Sequence, residues 1–250
     1  MESKEFSDNS KYDDNDTILT NLNLMKTYDL TENYEEMMNC IYSLSMNYEI
    51  NNEEIEILTR CFKSLIGTKR KQHRKIISLI YKETLSNNKN EIMLLNFLKS
   101  NLTTEIINLC GRVIEICQNF LKNIEDSDKN KKVKLFFFKN VADHNRYIYE
   151  LTEKEEHKSK ASEYYNIALH MAETGKFLPT DIIYLTFFLN YTVFLYDVME
   201  NKTEAIKRSK NVLNAALKDT EEITENVQRD IILLCQMIKD NLALWKHSNI

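Results

Sequence analysis

The scarcity of glycine and proline is the feature that most restricts how this chain can fold. Its 250 residues include 3 glycines and 1 proline. Folds built on β-sheets need a turn roughly every dozen residues, and these two residues usually supply the backbone conformations of such turns. A chain nearly free of both is expected to join long elements through few, polar turns. We therefore predict long helices, arranged as one large helical domain or as two smaller fused ones.

Apolar residues at helical spacing, interrupted by polar capping residues, predict about nine helices. Asn51 is typical of a helix N-terminus, Pro179 and Asp181 open a later helix, and Gly175 marks the end of the helix before it. No segment alternates with a period of two for long enough to indicate a strand. The predicted fold class is all-α, an antiparallel array with short links. The helices are predicted over residues 17–29, from about 31, from the cap at 51 to about 84, and over 90–124, 133–151, 155–173, 181–199, 201–218 and 225–246.

The beginning of the chain differs in composition from the rest. Serine, aspartate, asparagine and lysine dominate residues 1–16, and segments of this kind bury too little apolar surface to become ordered. We predict a disordered acidic extension over residues 1–16 and a helical domain over residues 17–250. The polar stretch 125–130 is predicted to be a loop.

Charge and hydropathy exclude several kinds of partner. The net charge is −5 and the sequence pI is about 5.7, so no overall basic surface indicates nucleic-acid binding. No run of eighteen or more apolar residues indicates a membrane span, and residues 1–16 lack the apolar core of a signal peptide. We therefore predict a cytoplasmic protein with neither a nucleic acid nor a membrane as its partner.

The cysteines indicate the same compartment. They are odd in number, and no pair has the C-x-x-C spacing of zinc and redox motifs. Most of them lie among apolar residues of helical periodicity, so we expect buried, reduced thiols instead of disulfides or zinc ligands. The five are Cys40, Cys61, Cys110, Cys117 and Cys235.

Motifs for catalysis and cofactor binding are missing from the sequence. The chain has no G-x-x-x-x-G-K or G-x-G-x-x-G loop, no H-E-x-x-H metal motif and no G-x-S-x-G nucleophile motif. No histidine follows a glutamate by three residues, which excludes the di-iron chemistry found in helical bundles. We predict no enzymatic activity, no cofactor and no metal.

Two patterns contain basic residues that could bind a ligand. Lys63 and Arg70 are seven residues apart and share a face of the third predicted helix. By composition alone this is an ordinary solvated basic face. Arg146 and Tyr147 are neighbours on the fifth predicted helix, and such a pair alone says little.

Two asparagines form a third pattern. Asn190 and Asn241 each lie within a strongly apolar helix. A buried amide without a partner costs roughly 1–3 kcal/mol. The two residues therefore either line a groove or are satisfied amides of the core.

In their order and spacing, these patterns resemble the 14-3-3 family. Residues 189–198 read Leu-Asn-Tyr-Thr-Val-Phe-Leu-Tyr-Asp-Val, which is similar to the family signature Leu-Asn-Phe-Ser-Val-Phe-Tyr-Tyr-Glu-Ile. Residues 239–245 read Lys-Asp-Asn-Leu-Ala-Leu-Trp, which is similar to the family's Arg-Asp-Asn-Leu-Thr-Leu-Trp. Pro179 and Thr180 stand where the family has the same pair, and the resemblance covers about residues 34–245. It implies nine antiparallel helices in a cup-shaped protomer with an amphipathic peptide-binding groove.

The resemblance also implies a function without catalysis. Members of the family are adaptors that bind phosphoserine or phosphothreonine in partner proteins and thereby regulate them in signalling. The residues that it assigns to the phosphate are Lys63, Arg70, Arg146 and Tyr147. Those assigned to the backbone of the bound peptide are Asn190 and Asn241. The remaining groove residues are Lys139, Leu189, Val193, Asp197, Leu233, Met237 and Trp245.

The residue types in the implied phosphate pocket suit the chemistry. Guanidinium groups fork onto phosphate oxygens, and each charged hydrogen bond contributes roughly 1.5–3 kcal/mol. An unphosphorylated serine supplies neither the charge nor the acceptor oxygens. We expect Arg70 and Arg146 to be exposed, so that replacing either one with alanine removes binding and leaves the helical fold intact.

Some positions depart from the family pattern in the groove. Thr186 stands where the family has a glycine, and its side chain would narrow the groove or shift the peptide. Met237 replaces a leucine, a flexible substitution. Asp197 is shorter than the glutamate that supports the groove in the family.

The surface used for pairing departs further. The family forms homodimers and heterodimers through the first helix of one subunit and the third and fourth helices of the other. Here Thr27 and Thr31 occupy apolar contact positions, and Lys75 replaces an apolar residue. Asn33 replaces an arginine of an ion pair between subunits, although Glu105 resembles its acidic partner. We therefore expect a weakened, asymmetric or absent homodimer.

Two other interpretations stay open. A degenerate 14-3-3-like scaffold would keep the fold and bind partners independently of phosphate, and Thr186 favours this reading. An unrelated helical-repeat scaffold is the second, because residues 161–172 have some features of a tetratricopeptide helix. The helix pairs nevertheless share no common length.

Overall fold

The described part of the chain is almost entirely helical. The computed structural model describes the backbone of residues 9–218 and 225–247 and the side chains of residues 15–218 and 228–246. These residues form nine α-helices and no strand, so the predicted all-α fold class is confirmed. The helices are α1 (Asn9–Leu30), α2 (Tyr34–Asn47), α3 (Asn52–Leu85), α4 (Lys89–Asn123), α5 (Lys131–Thr152), α6 (Glu155–Thr174), α7 (Ile182–Val193), α8 (Lys202–Lys218) and α9 (Glu225–His247).

The first helix begins earlier than predicted. It starts at Asn9, before the expected start at Thr17, so the predicted boundary after residue 16 falls within α1. Residues 1–8, which belong to the predicted disordered extension, lie outside the described residues. Extending an existing helix fixes one residue for each hydrogen bond gained, so a polar segment can continue a helix that it could not nucleate. Composition alone does not register this effect.

Most of the other helix ends match their sequence signals. At the start of α3, the side chain of Asn51 accepts the Glu54 N–H at 3.1 Å, and the Glu54 carboxylate accepts the Asn51 N–H at 2.9 Å. These reciprocal bonds satisfy backbone donors that a helix start leaves free. At the start of α7, the Asp181 carboxylate accepts the Ile183 N–H at 2.8 Å. The polar stretch before α5 contains a short 3₁₀ turn, Asp128–Asn130.

Gly175 ends α6 as predicted, but for a different reason. Its backbone has φ −76° and ψ 156°, which any residue can adopt, so no left-handed conformation requires glycine here. A Cβ at this position would lie 2.4 Å from Cε2 of Phe177 and 2.7 Å from the Met171 carbonyl oxygen. The chain therefore needs glycine at this position for space.

The helix predicted to run from Asp181 to Met199 is not continuous. Regular α-geometry ends at Val193, and a π-helical segment, Phe194–Val198, follows it. The Met199 N–H donates to the Phe194 carbonyl at 3.0 Å, five residues back in the chain. Single π-turns of this kind occur frequently at functional sites. This turn contains Asp197, one of the residues that the resemblance assigns to the groove.

The first compact unit, Met1–Glu125, contains α1–α4. Within it, α1 packs on α2, α3 packs on α4, and α2 contacts both α3 and α4. Fully buried side chains such as Met37, Ile41, Leu58 and Ile106 form its core. Burying one such side chain stabilises the fold by roughly 1.5–3 kcal/mol.

The second compact unit, Asp126–Ile250, contains α5–α9. Its core is more aromatic than that of the first unit. The rings of Tyr165 and Phe194 lie 4.7 Å apart, and the ring of Tyr196 stacks on Trp245 at 4.5 Å with an angle of 7° between their planes. This unit holds most of the residues that the resemblance assigns to peptide binding.

All five cysteines are buried, as predicted, and each is a free thiol. Among the described residues, no helix is both long enough and apolar enough to cross a membrane. In the same residues, no group of three or more histidine, cysteine or acidic side chains is placed to hold a metal ion.

Candidate functional site

The second unit contains an unusual stretch of buried polar side chains on α5. Every residue from Lys139 to Arg146 is buried, although most of the stretch is charged or polar. A buried charge is tolerated only when it is paired and hydrogen-bonded. The partners come from α5 itself and from α6 and α7, so this stretch joins three helices at one point.

Asp143 lies at the centre of these contacts and is 2% exposed. Its Oδ2 accepts from Nζ of Lys139 at 2.9 Å and from Nδ2 of Asn190 at 2.7 Å. Its Oδ1 accepts from the hydroxyl of Tyr165, and Nη2 of Arg146 lies 4.0 Å from the same oxygen. Burial alone would raise the pKa of this carboxyl, but the charges of Lys139 and Arg146 and the Tyr165 hydrogen bond hold the pKa below its usual range.

Arg146 is 5% exposed, and its guanidinium is held in place by three neighbours. Its Nε donates to the Tyr165 hydroxyl at 3.3 Å, and its Nη1 donates to Oε1 of Glu150 at 2.5 Å. The guanidinium carbon lies 4.6 Å from the centre of the Tyr147 ring, which is within the range of a cation–π contact. Burial opposes the charged form, yet the neighbouring tyrosines and carboxylates keep the pKa of Arg146 well above its ordinary value. The arginine is therefore both charged and fixed in orientation.

The burial of Arg146 corrects one expectation from the sequence. The prediction that Arg146 is exposed is wrong, because its side chain is buried, and the expectation that its loss leaves the fold intact rested on that exposure. Removing it would take away the charged hydrogen bonds to Tyr165 and Glu150 and one of the two cations beside the buried Asp143, and a charged hydrogen bond contributes roughly 1.5–3 kcal/mol. An alanine at position 146 is consequently a poor test of binding.

Three residues of this site were not predicted as functional. They are Asp143, Glu150 and Tyr165. Asp143 and Tyr165 are 22 positions apart in the chain, and Asp143 and Asn190 are 47 apart. The only local signal was the run of polar residues in an otherwise apolar part of α5. Burial raises the pKa of the Tyr165 hydroxyl well above its usual range, and the neighbouring Asp143 charge raises it further.

The α7 residues of the predicted groove lie beside this site. Asn190 is half-buried and reaches Asp143, Leu189 is buried and Val193 is half-buried. The hydroxyl of Thr186, one helical turn before Asn190, donates to the Ile182 carbonyl at 2.6 Å. Because its hydroxyl is satisfied within the helix, the part of the Thr186 side chain that remains for contact with other groups is its methyl group.

Asp197 projects from the π-helical segment and is exposed. Partial burial of its carboxyl raises its pKa, the Arg146 charge lowers it, and the Glu150 charge raises it again, with a net increase. Its carboxyl is thus close enough to Arg146 and Glu150 to sense both charges. Asp197 consequently shares the electrostatic environment of Arg146 and Glu150.

The groove residues predicted on α9 become less exposed to solvent toward the C-terminal end of the helix. Leu233 is 57% exposed and Met237 is 44% exposed, whereas Asn241 is half-buried and Trp245 is buried against Tyr196. Spacing by four residues drifts slowly around a helix, which explains the passage from surface to core. Among the described residues, the Asn241 side chain has no hydrogen-bond partner.

The two basic residues predicted on α3 lie in the first unit. Lys63 is exposed and forms no ion pair with any described side chain, and Arg70 is half-buried. They stand two helical turns apart on one side of α3, as their spacing of seven predicts.

The first unit also has an apolar cleft between α3 and α4, with a volume of about 460 Å³. At one edge Glu105 is held by Nζ of Lys69 at 2.6 Å. On α1, the exposed Thr27 and Thr31 direct their hydroxyls to carbonyls of their own helix at 2.9 and 3.1 Å. The cleft is lined by Gln72, Lys75, Ile76, Leu79, Leu98, Asn101, Leu102 and Glu105.

Comparison with known proteins gives a consistent result. A family model described as 14-3-3 protein matches residues 24–246. The chain is 30% identical over 226 residues to 14-3-3 protein 2 of Entamoeba histolytica, with 89% of this chain and 93% of that protein covered. It is 28% identical over 229 residues to the 14-3-3 family protein artA of Aspergillus flavus, with 90% and 94% covered. It is also 28% identical over 226 residues to the checkpoint signal transducer rad25 of Schizosaccharomyces pombe, with 89% and 82% covered.

Proposed function

Since the chain belongs to the 14-3-3 family, we propose that it is a non-enzymatic adaptor that binds phosphoserine or phosphothreonine segments of partner proteins and thereby regulates them. The observation that carries this proposal is the setting of Arg146. A guanidinium has five N–H donors, and Tyr165 and Glu150 accept two of them. The remaining donors sit on a group that is fixed in place and permanently charged, which suits a phosphate better than a flexible surface arginine would.

The basic residues at this site in the second unit are already balanced by acidic ones, so a bound phosphate needs positive charge from other residues. Lys139 and Arg146 carry two positive charges, and Asp143 and Glu150 carry two negative ones. A phosphomonoester brings a charge of about −1.5 to −2 at pH 7. We propose that Arg146 and Tyr147 orient the phosphate and that Lys63 and Arg70, which the family resemblance assigns to the same ligand, supply the additional positive charge.

The rest of the peptide would be bound with little dependence on its amino-acid sequence. Asn190 and Asn241 can bond to the backbone of an extended peptide, because a side-chain amide offers both donors and an acceptor. Leu233 and Met237 are exposed apolar side chains on α9 and would contact the side chains of the partner segment. The buried thiols are compatible with the reducing cytoplasm as the compartment.

We also propose that two chains pair through their first units. The apolar cleft between α3 and α4 and the exposed leucines of α1, such as Leu19 and Leu24, lie on the same unit. In a two-fold arrangement each surface is used twice, which is how most homodimers are built. Lys75 at the cleft weakens such a contact, and Glu105 is already bound by Lys69 within its own chain.

Fluorescence anisotropy with a labelled Arg-Ser-x-pSer-x-Pro peptide and its unphosphorylated twin tests the proposal. We expect binding at micromolar concentration or tighter for the phosphorylated peptide alone. Arg70→Gln should weaken this binding roughly tenfold or more, since it removes a charged hydrogen-bonding group. Lys71→Gln, an exposed neighbour on α3, is the matched control. Equal binding of both peptides would favour a scaffold that is independent of phosphate.

A further inference from the structure

We propose that Asp143 is a positioning residue of the peptide site, one that fixes the Asn190 amide with its carbonyl oxygen directed toward the ligand and holds Arg146 through Tyr165. This inference rests on the proposed function, because it states how one part of that site is set before a peptide binds. The contacts that carry it all lie within the second unit.

The number and origin of the donors around Asp143 exceed what a structural ion pair needs. The i,i+4 contact with Lys139 at 2.9 Å would by itself compensate the buried charge. Two further donors come from other helices, the Asn190 amide of α7 and the Tyr165 hydroxyl of α6. One buried carboxylate thus sets the orientation of side chains that a ligand at this site would meet.

The chemistry of a carboxylate decides which way the Asn190 amide points. An ionised carboxylate only accepts hydrogen bonds, so the amide must present its NH₂ group at the 2.7 Å contact. Its Oδ1 is then turned away from Asp143. No described side chain or backbone group donates to that oxygen, and Asn190 is half-buried. The geometry therefore prepares Asn190 to accept a hydrogen bond from an N–H of the bound peptide.

Tyr165 extends the same control to Arg146. A phenol has one proton, and here that proton is donated to Oδ1 of Asp143. The lone pairs of the hydroxyl then face Nε of Arg146 at 3.3 Å. A neutral Asp143 could instead donate a hydrogen bond to the Tyr165 hydroxyl. The Tyr165 proton would then no longer be held by Asp143, and Arg146 would lose an acceptor of fixed orientation.

The inference is tested first without any peptide. In protein labelled with ¹⁵N, Asn190→Ala identifies the side-chain NH₂ signals of Asn190 by their disappearance. Those signals are expected downfield of solvent-exposed asparagine signals because they bond to a carboxylate, and Asp143→Asn should move them toward the exposed range. Signals that stay in place in Asp143→Asn would overturn the inference, whether or not the protein binds phosphopeptides.

Binding then tests the functional consequence. Asp143→Asn and Asn190→Ala should each weaken phosphopeptide binding roughly tenfold, the effect of one ordinary hydrogen bond. The double variant should bind about as weakly as Asp143→Asn alone, because the contribution of Asn190 is already lost when Asp143 no longer holds its amide. Losses that multiply would overturn the inference. A wild-type protein that ignores the phosphopeptide would contradict the proposed function alone, since the NMR result stands apart from it.

A folding defect in Asp143→Asn can be separated from a positioning effect. Neutralising Asp143 strands the buried charge of Lys139, so the same substitution is also made in a Lys139→Met background, where no unpaired charge is left. Circular dichroism confirms that each variant is helical. The expected movement of the Asn190 signals is the same in both backgrounds, and its absence in the folded double variant would equally overturn the inference.

Discussion

The Nε of Arg146 donates to the hydroxyl of Tyr165 at 3.3 Å, and both residues are buried in the second unit. The side chain of an arginine on a protein surface samples many rotamers, and a ligand that binds it must restrict it to one of them. Here a phenol on another helix selects one of them in advance. The entropy cost of ordering the side chain is therefore incurred on folding, and the proposed phosphate ligand would not have to order it again.

Tyr165→Phe should separate this orienting effect from ring packing. Phenylalanine keeps the contact of ring 165 with Phe194 but offers Arg146 no acceptor. We expect phosphopeptide affinity to fall roughly three- to tenfold and the free energy of unfolding to fall by about 1–3 kcal/mol. Anisotropy and urea denaturation measure the two effects. Tyr191→Phe is the control, because the Tyr191 hydroxyl has no hydrogen-bond partner among the described residues. Equal effects of both variants would assign the loss to packing.

The stability of the fold should depend on the ionisation of Asp143. Its pKa in the folded protein lies below the ordinary value of about 3.9 that applies to the unfolded chain. The ionised carboxylate therefore stabilises the fold fully above pH 4, and this contribution is lost as the pH falls through the folded pKa. The difference in unfolding free energy between wild type and Asp143→Asn should shrink below about pH 4. Asp230→Asn, at an exposed site, should differ little from wild type at any pH. A difference of constant size through this range would contradict the prediction.

Glu150→Gln should strengthen phosphopeptide binding. The Glu150 carboxylate is one-third exposed and holds Nη1 of Arg146, so it would compete with the proposed phosphate ligand for the same guanidinium and repel its charge. Glutamine keeps an acceptor for Arg146 and removes the repulsion. We expect affinity to rise roughly two- to fivefold at low salt and the gain to shrink as salt is added. Glu163→Gln, at an exposed position of α6, is the control. A loss of affinity would instead mean that the Glu150 charge is needed to orient Arg146.

The sequence predicted the helices well because their signals are local. The Asn51 cap and the Asp181 cap each depend on residues two or three positions away. The π-helical segment was missed, since one extra residue in a turn leaves apolar periodicity nearly unchanged over five residues. The early start of α1 was missed because composition does not register the extension of an existing helix.

The site was only partly predictable for the opposite reason. Family resemblance named Arg146 and Asn190, but nothing local showed that Asp143 joins them, because the contacts connect residues 22 and 47 positions apart. The burial of Arg146 was also missed, since an arginine is ordinarily exposed unless it is paired. The one available hint was the density of polar residues on α5. A run of that kind inside a core is stable only if its members satisfy one another.

Gly175→Ala should destabilise the second unit. Because an added Cβ would lie 2.4 Å from the Phe177 ring and 2.7 Å from a backbone oxygen, the chain must shift to make room for it. We expect a loss of about 1–3 kcal/mol in the free energy of unfolding, which is typical of overpacking. Gly111→Ala is the contrast, since nothing lies within 4 Å of its added Cβ. That variant should gain roughly 0.5–1 kcal/mol from helix propensity. Destabilisation of similar size in both would show that space at Gly175 is not the cause.

Lys75→Ile should strengthen pairing of the first units. Lys75 lines the cleft beside apolar residues such as Leu79 and Leu98, and burying its charge in a dimer costs free energy. Isoleucine continues the apolar lining, and burying it is worth about 1.5–3 kcal/mol. We expect the dissociation constant of the dimer to fall roughly tenfold or more, measured by sedimentation velocity over a series of concentrations. Lys71→Ile adds the same apolar surface at an exposed position of α3 outside the cleft. Equal strengthening of association in both variants would indicate nonspecific hydrophobic association. No strengthening in either variant would mean that the cleft is not the surface through which the chains pair.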